Sequence, residues 1–554
     1  MKVLVALANY GTNNDPYLKR VLDEYRKMPY RVDVVVLSNL PKDFGAGVEV
    51  IVGVPYKNPF AFPFAHKKVL AERLSQYDLF IYAEDDILIS QHNIEAFLRA
   101  TRVLPENELA GFFIAETSTN GSLFYCVLHG HYHWDPDSVR VRGEYTLARC
   151  TNDHSACFLL TQEQLRRAIA SGGFLVEPHE GRYQLRETAA TDPYTQCGFQ
   201  KMIPISHLND FTALHLPCNK WESAPWEIDS VLHRQVQALL DLQENGRPHS
   251  PLLEPETKLP LRPWSKSYYE PCRMDMISLV PSNARHVLSL GCGFGYTEEY
   301  LVRLGLRVVG LPLDSVIAAC AEDKGVEVVY GDFETARQKL TGERFDCLLM
   351  SNILHLVPDP AAVLRSFAQL LGPAGKVIVG VPNFSYLPTT WRRLQRQLHV
   401  RDLAHFQKSG LHVTTRGVVR DWFRRSGLTW EKAVWPEPAP DVYPTQLGPL
   451  QVQWRRLRKR FWGFARPVLS PDLIVVGGTR ESSPKSSLRG RFQGPTKCSK
   501  GSDRISLRTV LGALSAGRPV RGHTPPLMTL VNQVNPKTAG FTRDTLVDYF
   551  CETH

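Results

Sequence analysis

The chain has 554 residues, 43% of them hydrophobic, with a formal net charge of +9, which is apolar material for more than one core at roughly 100 to 200 residues per domain. Residues 481–554 hold eleven Lys and Arg against five Asp and Glu, so six of the nine excess charges sit in one tail and the charge does not describe a nucleic-acid-binding face. Eleven cysteines without a C-x-x-C pair exclude a disulfide framework or a zinc-ligand set, and with no charged leader and no run of about eighteen apolar residues the expectation is a cytoplasmic protein that does not span a membrane.

In chain order, KVLVALANYG predicts a buried strand ending in a polar turn, DPYLKRVLDEYRKM a helix, and YRVDVVVLSNL and VEVIVGVPY two more strands. That βαβ order predicts a parallel sheet. After the helix AHKKVLAERLSQY, the strand YDLFIYAEDDILIS delivers Glu84, Asp85 and Asp86 to its end. Three adjacent carboxylates repel one another, and they suit Mg²⁺ or Mn²⁺ bridging the protein to a diphosphate. The segment resembles the acidic metal motif of GT-A glycosyltransferases. The resemblance implies a nucleotide-sugar donor and a metal held by Glu84, Asp85 and Asp86, with a late histidine, His215 or alternatively His207, completing the shell. Asp192, after a small-residue run, is the candidate base for an acceptor hydroxyl.

WESAPWEIDSVLHRQVQALLDLQENGRPHSPLLEPETKLPLRP passes from an amphipathic helix into a Pro-rich linker, which predicts a stiff spacer between separately cored domains. VLSLGCGFGYTEEY then reads as a strand, a turn with Gly291, Gly293 and Gly295, and a helix start. Glycines leave room for a ligand against the backbone, and G-x-G-x-G departs from the dinucleotide spacing. LRVVGLPLD, VEVVYGDFE, FDCLLMSNILHLVPDP and KVIVGVPN follow as strands, their polar residues at the carboxyl ends where ligands of open α/β sheets bind.

With WSKSYYEP before it and LHVTTRGVVRDWFRRSGL after it, this half resembles a class I S-adenosylmethionine-dependent methyltransferase of the type 11 group. The resemblance implies that S-adenosylmethionine meets Leu290, Gly291, Cys292, Gly293 and Gly295, that Asp314 holds the ribose, that Asp332 with Phe333 meets the adenine, and that Asn352 lines the site. Two positions depart from the family: Ser289 and Pro312 stand where it places acids. His355, at the mouth of the fourth strand, is the candidate general base, and His405, in a segment expected to form a lid, is the second.

The sequence therefore predicts two doubly wound α/β domains, a GT-A-like one at 1–225 and a Rossmann-like methyltransferase at 263–480, joined by a linker at 226–262 and followed by a disordered basic tail at 481–554. The function expected is a bifunctional enzyme that builds and O-methylates a saccharide or glycoconjugate, with no nucleic-acid partner. The basic segment Trp454–Pro467 is a candidate peripheral membrane contact. Two alternatives stand beside this reading: a methyltransferase whose front domain only binds saccharide, and a scaffold with a vestigial cofactor pocket.

Overall fold

Strand β1 (Lys2–Asn9), helix α1 (Asp15–Lys27), β2 (Arg31–Ser38) and β3 (Val48–Val52) open the chain. Val3 to Leu7 have no exposed surface, as expected of a strand covered on both faces. Helix α1 starts with proline in its first turn and buries Leu18, Val21, Leu22 and Tyr25 along one stripe. Helix α2 (Ala65–Glu72) leads to β4 (Leu79–Glu84), and the sheet order is β4-β1-β2-β3, all parallel. Since Ala8 pairs with Glu84 and Asn9 with Ser38, the polar residues ending these strands share one edge. The structure is a computed structural model, and it describes residues 1–53, 56, 58–117, 121, 123–125, 132–216, 228–246, 249–253, 257–259, 264–394, 403–437, 462 and 465–479.

Past that edge the chain forms β5 (Ile87–Leu88), α3 (Gln91–Thr101), β6 (Glu108–Ala110), β7 (Phe113–Thr117) and β8 (Leu123–Tyr125). Then come β9 (Trp134–Arg142), β10 (Tyr145–Cys150), β11 (Cys157–Thr161), α4 (Gln162–Ala170), α5 (Leu185–Thr195), β12 (Gln200–Pro204) and β13 (Thr212–His215). Capping boxes fix the starts of two helices, Ser90 with Asn93 for α3 and Thr161 with Gln164 for α4. β11 extends the first sheet antiparallel to β4, while two four-stranded sheets, β6-β12-β10-β9 and β5-β13-β7-β8, complete this half.

Helix α6 (Ile228–Asn245) falls where the sequence reads as helix and spacer. Its Leu232, Val236 and Leu239 pack with Phe113, Trp134 and Cys150 of the front sheets and with Val316 of the C-terminal half. Its Val231, with Leu252 beyond it, joins the core of the C-terminal sheet. The expectation of separately cored halves is therefore corrected: an apolar surface on two sides of one helix fuses the cores, and Met1–Arg480 form one compact unit. The tail at 481–554 and most of the Trp454–Pro467 segment lie outside the described residues.

The C-terminal half contains α7 (Met274–Ile277), β14 (His286–Cys292), α8 (Tyr296–Arg303), β15 (Arg307–Pro312), α9 (Ser315–Glu322), β16 (Glu327–Val328), α10 (Phe333–Lys339), β17 (Phe345–Ser351), α11 (Pro360–Ala368), β18 (Leu371–Pro382), β19 (Thr429–Val434) and β20 (Asp472–Gly478). The sheet order is β16-β15-β14-β17-β18-β20-β19, in which β20 alone runs antiparallel to the other six strands. The order reverses beside β14, so the crevice that such a topology opens lies at its carboxyl end. No helix among the described residues is long and apolar enough to cross a membrane.

Candidate functional site

The turn after β14 places Gly291 at φ +78° and Gly295 at φ +92°, conformations that glycine enters without steric cost. A Cβ on Gly291 would strike the Ile353 side chain, and one on Gly293 would lie 2.5 Å from the carbonyl oxygen of Tyr268. The glycines thus let the turn approach the chain's own segment 267–268, and the Phe294 amide donates to that same Tyr268 oxygen at 2.7 Å. Leu290 and Cys292 are buried in the strand.

Beneath the turn is a cavity lined by Lys266, Glu270, Ser289, Glu298 and Ser351 together with the glycine backbone. Lys266 Nζ lies 2.9 Å from Glu270 and donates to the Ser351 carbonyl at 2.8 Å, while Arg273, Ser351 and Asn352 also donate to Glu270. Burial alone would raise Glu270, but Lys266 and Arg273 outweigh it and hold the carboxyl down at about 2. Asn352 sits at φ +47° with its side-chain oxygen buried and without a hydrogen bond. A left-handed backbone and an orphaned acceptor in the residue that donates to Glu270 set an unsatisfied polar atom next to the cavity lining.

Asp314 is buried at the start of α9, where one oxygen accepts the amides of Val316 at 2.8 Å and Ile317 at 2.9 Å and the other accepts the Tyr268 hydroxyl. It is thereby an N-cap whose oxygens are both engaged. Asp332 caps α10 through the Thr335 amide at 2.7 Å and is exposed, with Phe333 half-buried beside it. His355 has no exposed surface, and its Nε2–H donates to the Trp264 carbonyl at 2.7 Å. Burial pulls its pKa down to about 4, so in this conformation the neutral ring holds Trp264 and does not meet an acceptor. His405 is exposed and its carbonyl starts the turn at Phe406–Ser409.

At the front edge the structure brings Glu84, Asp85, Asp86 and His215 together. β13 pairs with β5, setting His215 opposite Ile87, with Nε2 3.4 Å from Asp86 and Nδ1 2.7 Å from Glu116. Asp85 accepts from Asn9 at 2.6 Å and Asn14 at 2.8 Å. Burial first, then Asp86, pushes Asp85 up to about 6 and also raises Glu84. One Asp86 oxygen is buried without a hydrogen bond. Among the described residues, however, no three His, Cys, Asp or Glu side chains are grouped to hold an ion by themselves. His207 instead stands against Tyr145, its ring 5.0 Å away, and Asp192 is fully buried in an ion pair with Lys67.

Residues 251–433 match a family of methyltransferase domains. Ubiquinone biosynthesis O-methyltransferase from Xanthomonas axonopodis pv. citri is 35% identical over 121 residues, which cover 20% of this chain and 50% of that protein. The enzyme of the same name from Aeromonas salmonicida is 33% identical over 122 residues with the same coverage. The region is a class I S-adenosylmethionine-dependent methyltransferase domain.

The chain spans about half the length of these curated relatives. Solved methyltransferases from Mesorhizobium loti and Corynebacterium glutamicum are 19% and 18% identical, cover 37% of this chain and 95% and 86% of their own, and superpose with TM-scores of 0.25 and 0.24. Within the methyltransferase domain Ser289 donates to Glu298 at 2.6 Å. Pro312, ending β15, offers no side-chain acceptor, and Ser250 Oγ lies 3.0 Å from its carbonyl. Sequence reasoning missed Lys266, Glu270 and Tyr268 here, although WSKSYYEP contains them, and it missed Asn9, Asn14 and Glu116 at the front edge. The Asn-containing turn after the first strand was the available signal for Asn9 and Asn14.

Proposed function

We propose that the protein is an S-adenosylmethionine-dependent O-methyltransferase acting on a hydroxyl of a saccharide or glycoconjugate. The observation that carries this reading is the match of residues 251–433 to methyltransferase domains, together with the glycine turn at the carboxyl end of β14. The cavity suits the cofactor's amino acid end: it offers the Glu270 carboxylate and the Lys266 cation to an ammonium and a carboxylate, with the orphaned oxygen of Asn352 on the residue that donates to Glu270. Gly291, Gly293, Gly295, Lys266, Glu270 and Asn352 would hold that end, and Asp332 and Phe333 would face the base. The cofactor supplies an activated methyl, so the protein's part is to orient acceptor and donor and to exclude water. A hydroxyl acceptor is favoured by the O-methyltransferase relatives. Incubation with labelled S-adenosylmethionine and a panel of glycan extracts, with and without nucleotide sugars and Mn²⁺, should label a saccharide; labelling confined to non-saccharide acceptors would refute that part, and none at all would refute the activity.

For the front half we propose a GT-A-like nucleotide-sugar site. Its support is the Asp86 oxygen left without a partner beside His215 and the burial of Asp85. The donor set is rich in hard oxygen ligands and suits Mg²⁺ or Mn²⁺, with diphosphate oxygens supplying the ligands that the protein does not group. Asp86→Asn should abolish metal-dependent binding of a nucleoside diphosphate. Binding indifferent to both EDTA and this substitution would leave the front half as a module without transferase chemistry.

A further inference from the structure

The cavity under the glycine turn stops short of β15: none of its lining residues comes from the 312–317 stretch. Two segments of the chain explain why. Tyr268 crosses the turn and gives its hydroxyl to Asp314, whose remaining oxygen is spent on the α9 amides. Ser250, with no exposed surface, sets its hydroxyl 3.0 Å from the Pro312 carbonyl at the end of β15 and 2.8 Å from the Gly331 carbonyl just past β16. One hydroxyl proton can serve only one of these carbonyls at a time, so this stitch is a weak one. Leu252, two residues on, is buried in the C-terminal core and seats the segment.

The Tyr268 segment is also held from the front half. The His133 ring stacks on Tyr268 with centroids 5.0 Å apart and planes within 11°. The next residue, Tyr269, receives the side-chain amide of Gln235 on its hydroxyl, and Gln235 in turn accepts the Trp134 indole N–H at 3.0 Å. A nucleoside bound outside the carboxyl ends of β14, β15 and β16, where open α/β sheets bind their ligands, would need the ground that Tyr268 and Ser250 occupy.

We propose that Tyr268 and Ser250 form a latch over the carboxyl ends of β15 and β16, held by His133 of the front half, and that the latch must open before the nucleoside half of the cofactor enters. The inference rests on the methyltransferase reading and names the regulation of that site. A closed latch lowers the apparent affinity by the fraction of molecules that are open. Loosening it therefore strengthens binding, whereas removing a cofactor contact weakens it.

The experiment titrates S-adenosylhomocysteine into the full chain by calorimetry, for wild type, Tyr268→Phe, Ser250→Ala and His133→Ala. Tyr268→Phe keeps the ring that stacks on His133 and deletes the bond to Asp314. It should bind about tenfold tighter, since hydrogen bonds to charged partners are worth roughly that much or more, with Ser250→Ala and His133→Ala shifted in the same direction by smaller factors. Hydrogen exchange on the wild type provides a readout without any substitution: residues 249–253, which carry Ser250 and no residue proposed to hold the cofactor, should lose protection when S-adenosylhomocysteine saturates the protein. Unchanged or weaker binding in the variants, or unchanged protection in the wild type, overturns the latch while leaving the methyltransferase reading intact. Failure of wild type and all variants to bind overturns the methyltransferase reading itself and the latch with it.

Discussion

Asp192→Ala should destabilise the protein by about 3–5 kcal/mol, the usual consequence of leaving a buried charge without its partner. The side chains of Lys67 and Asp192 are 3% and 0% exposed and form a direct ion pair. Thr195 donates to the second Asp192 oxygen at 3.3 Å, and His179 stands 3.5 Å from it. Removing the carboxylate strands the Lys67 ammonium over the face of Phe64, 4.3 Å away. Burial already lowers the Lys67 pKa against the pull of Asp192, so the amine can escape by releasing its proton. From an ordinary value near 10.4, that release at pH 7 costs at most about 1.4 kcal/mol for each of 3.4 units, roughly 5 kcal/mol, which caps the effect. Urea unfolding followed by circular dichroism measures it. The double substitution Lys67→Met with Asp192→Leu should recover most of the loss, because apolar residues of similar volume replace buried pairs at little cost. If Asp192→Ala stays within about 1 kcal/mol of wild type, the reasoning is refuted; if it does so while abolishing transfer to an acceptor, Asp192 is a base after all.

Three further outcomes are expected. Gly293→Ala places a methyl 2.5 Å from the Tyr268 carbonyl oxygen, so it should destabilise the protein by about 1–3 kcal/mol and raise hydrogen exchange in residues 266–270. Leu239→Ala, in the core shared by the two halves, should cost about 2–5 kcal/mol in urea unfolding, whereas Arg234→Ala, which breaks a solvent-exposed pair with Asp323, should cost at most about 1 kcal/mol. His355 is held neutral by burial, with Lys266 and His412 also disfavouring its charge and Glu270 favouring it, at a pKa of about 4 in the folded state. Its contribution to stability is therefore complete above about pH 6.5 and is lost as pH falls from 6.5 to 4, by up to roughly 3 kcal/mol; urea midpoints for wild type and His355→Leu should converge over that window, and parallel curves would contradict it.

The alternation of buried strands and amphipathic helices was legible because every central strand is an apolar run ending in polar or glycine residues, as in VLSLGC and LFIYAE. Strand ends were read less well. LRVVGLPLD suggests that Asp314 ends a strand, but β15 stops at Pro312 and Asp314 caps the next helix, because aspartate before SVIAAC has two amides to satisfy locally. VEVVYGDFE contributes only two strand residues, Glu327 and Val328. Contacts between distant segments left no local trace: Ser250 with Gly331, Gln235 with Tyr269 and Trp134, and His215 with Glu116 are separated by 34 to 101 positions. The resemblance named His215 beside the acidic triplet, and the structure sets it 3.4 Å from Asp86, while Glu116, which orients that histidine, was not read from the sequence.

Helix α6 carries a lesson about descent. Leu232 and Leu239 touch a core that also contains Val316, and Val231 enters the other core, so neither half can be exchanged for a cousin without importing the matching surface. A change of volume at Leu232 is felt in a core that includes Phe113, Trp134 and Val316, residues drawn from both halves of the sequence. Related chains should accordingly show these positions drifting in concert, and recombination between lineages should break far more often inside the helix than it succeeds. On this packing the two halves should be inherited as a couple, not as interchangeable cassettes.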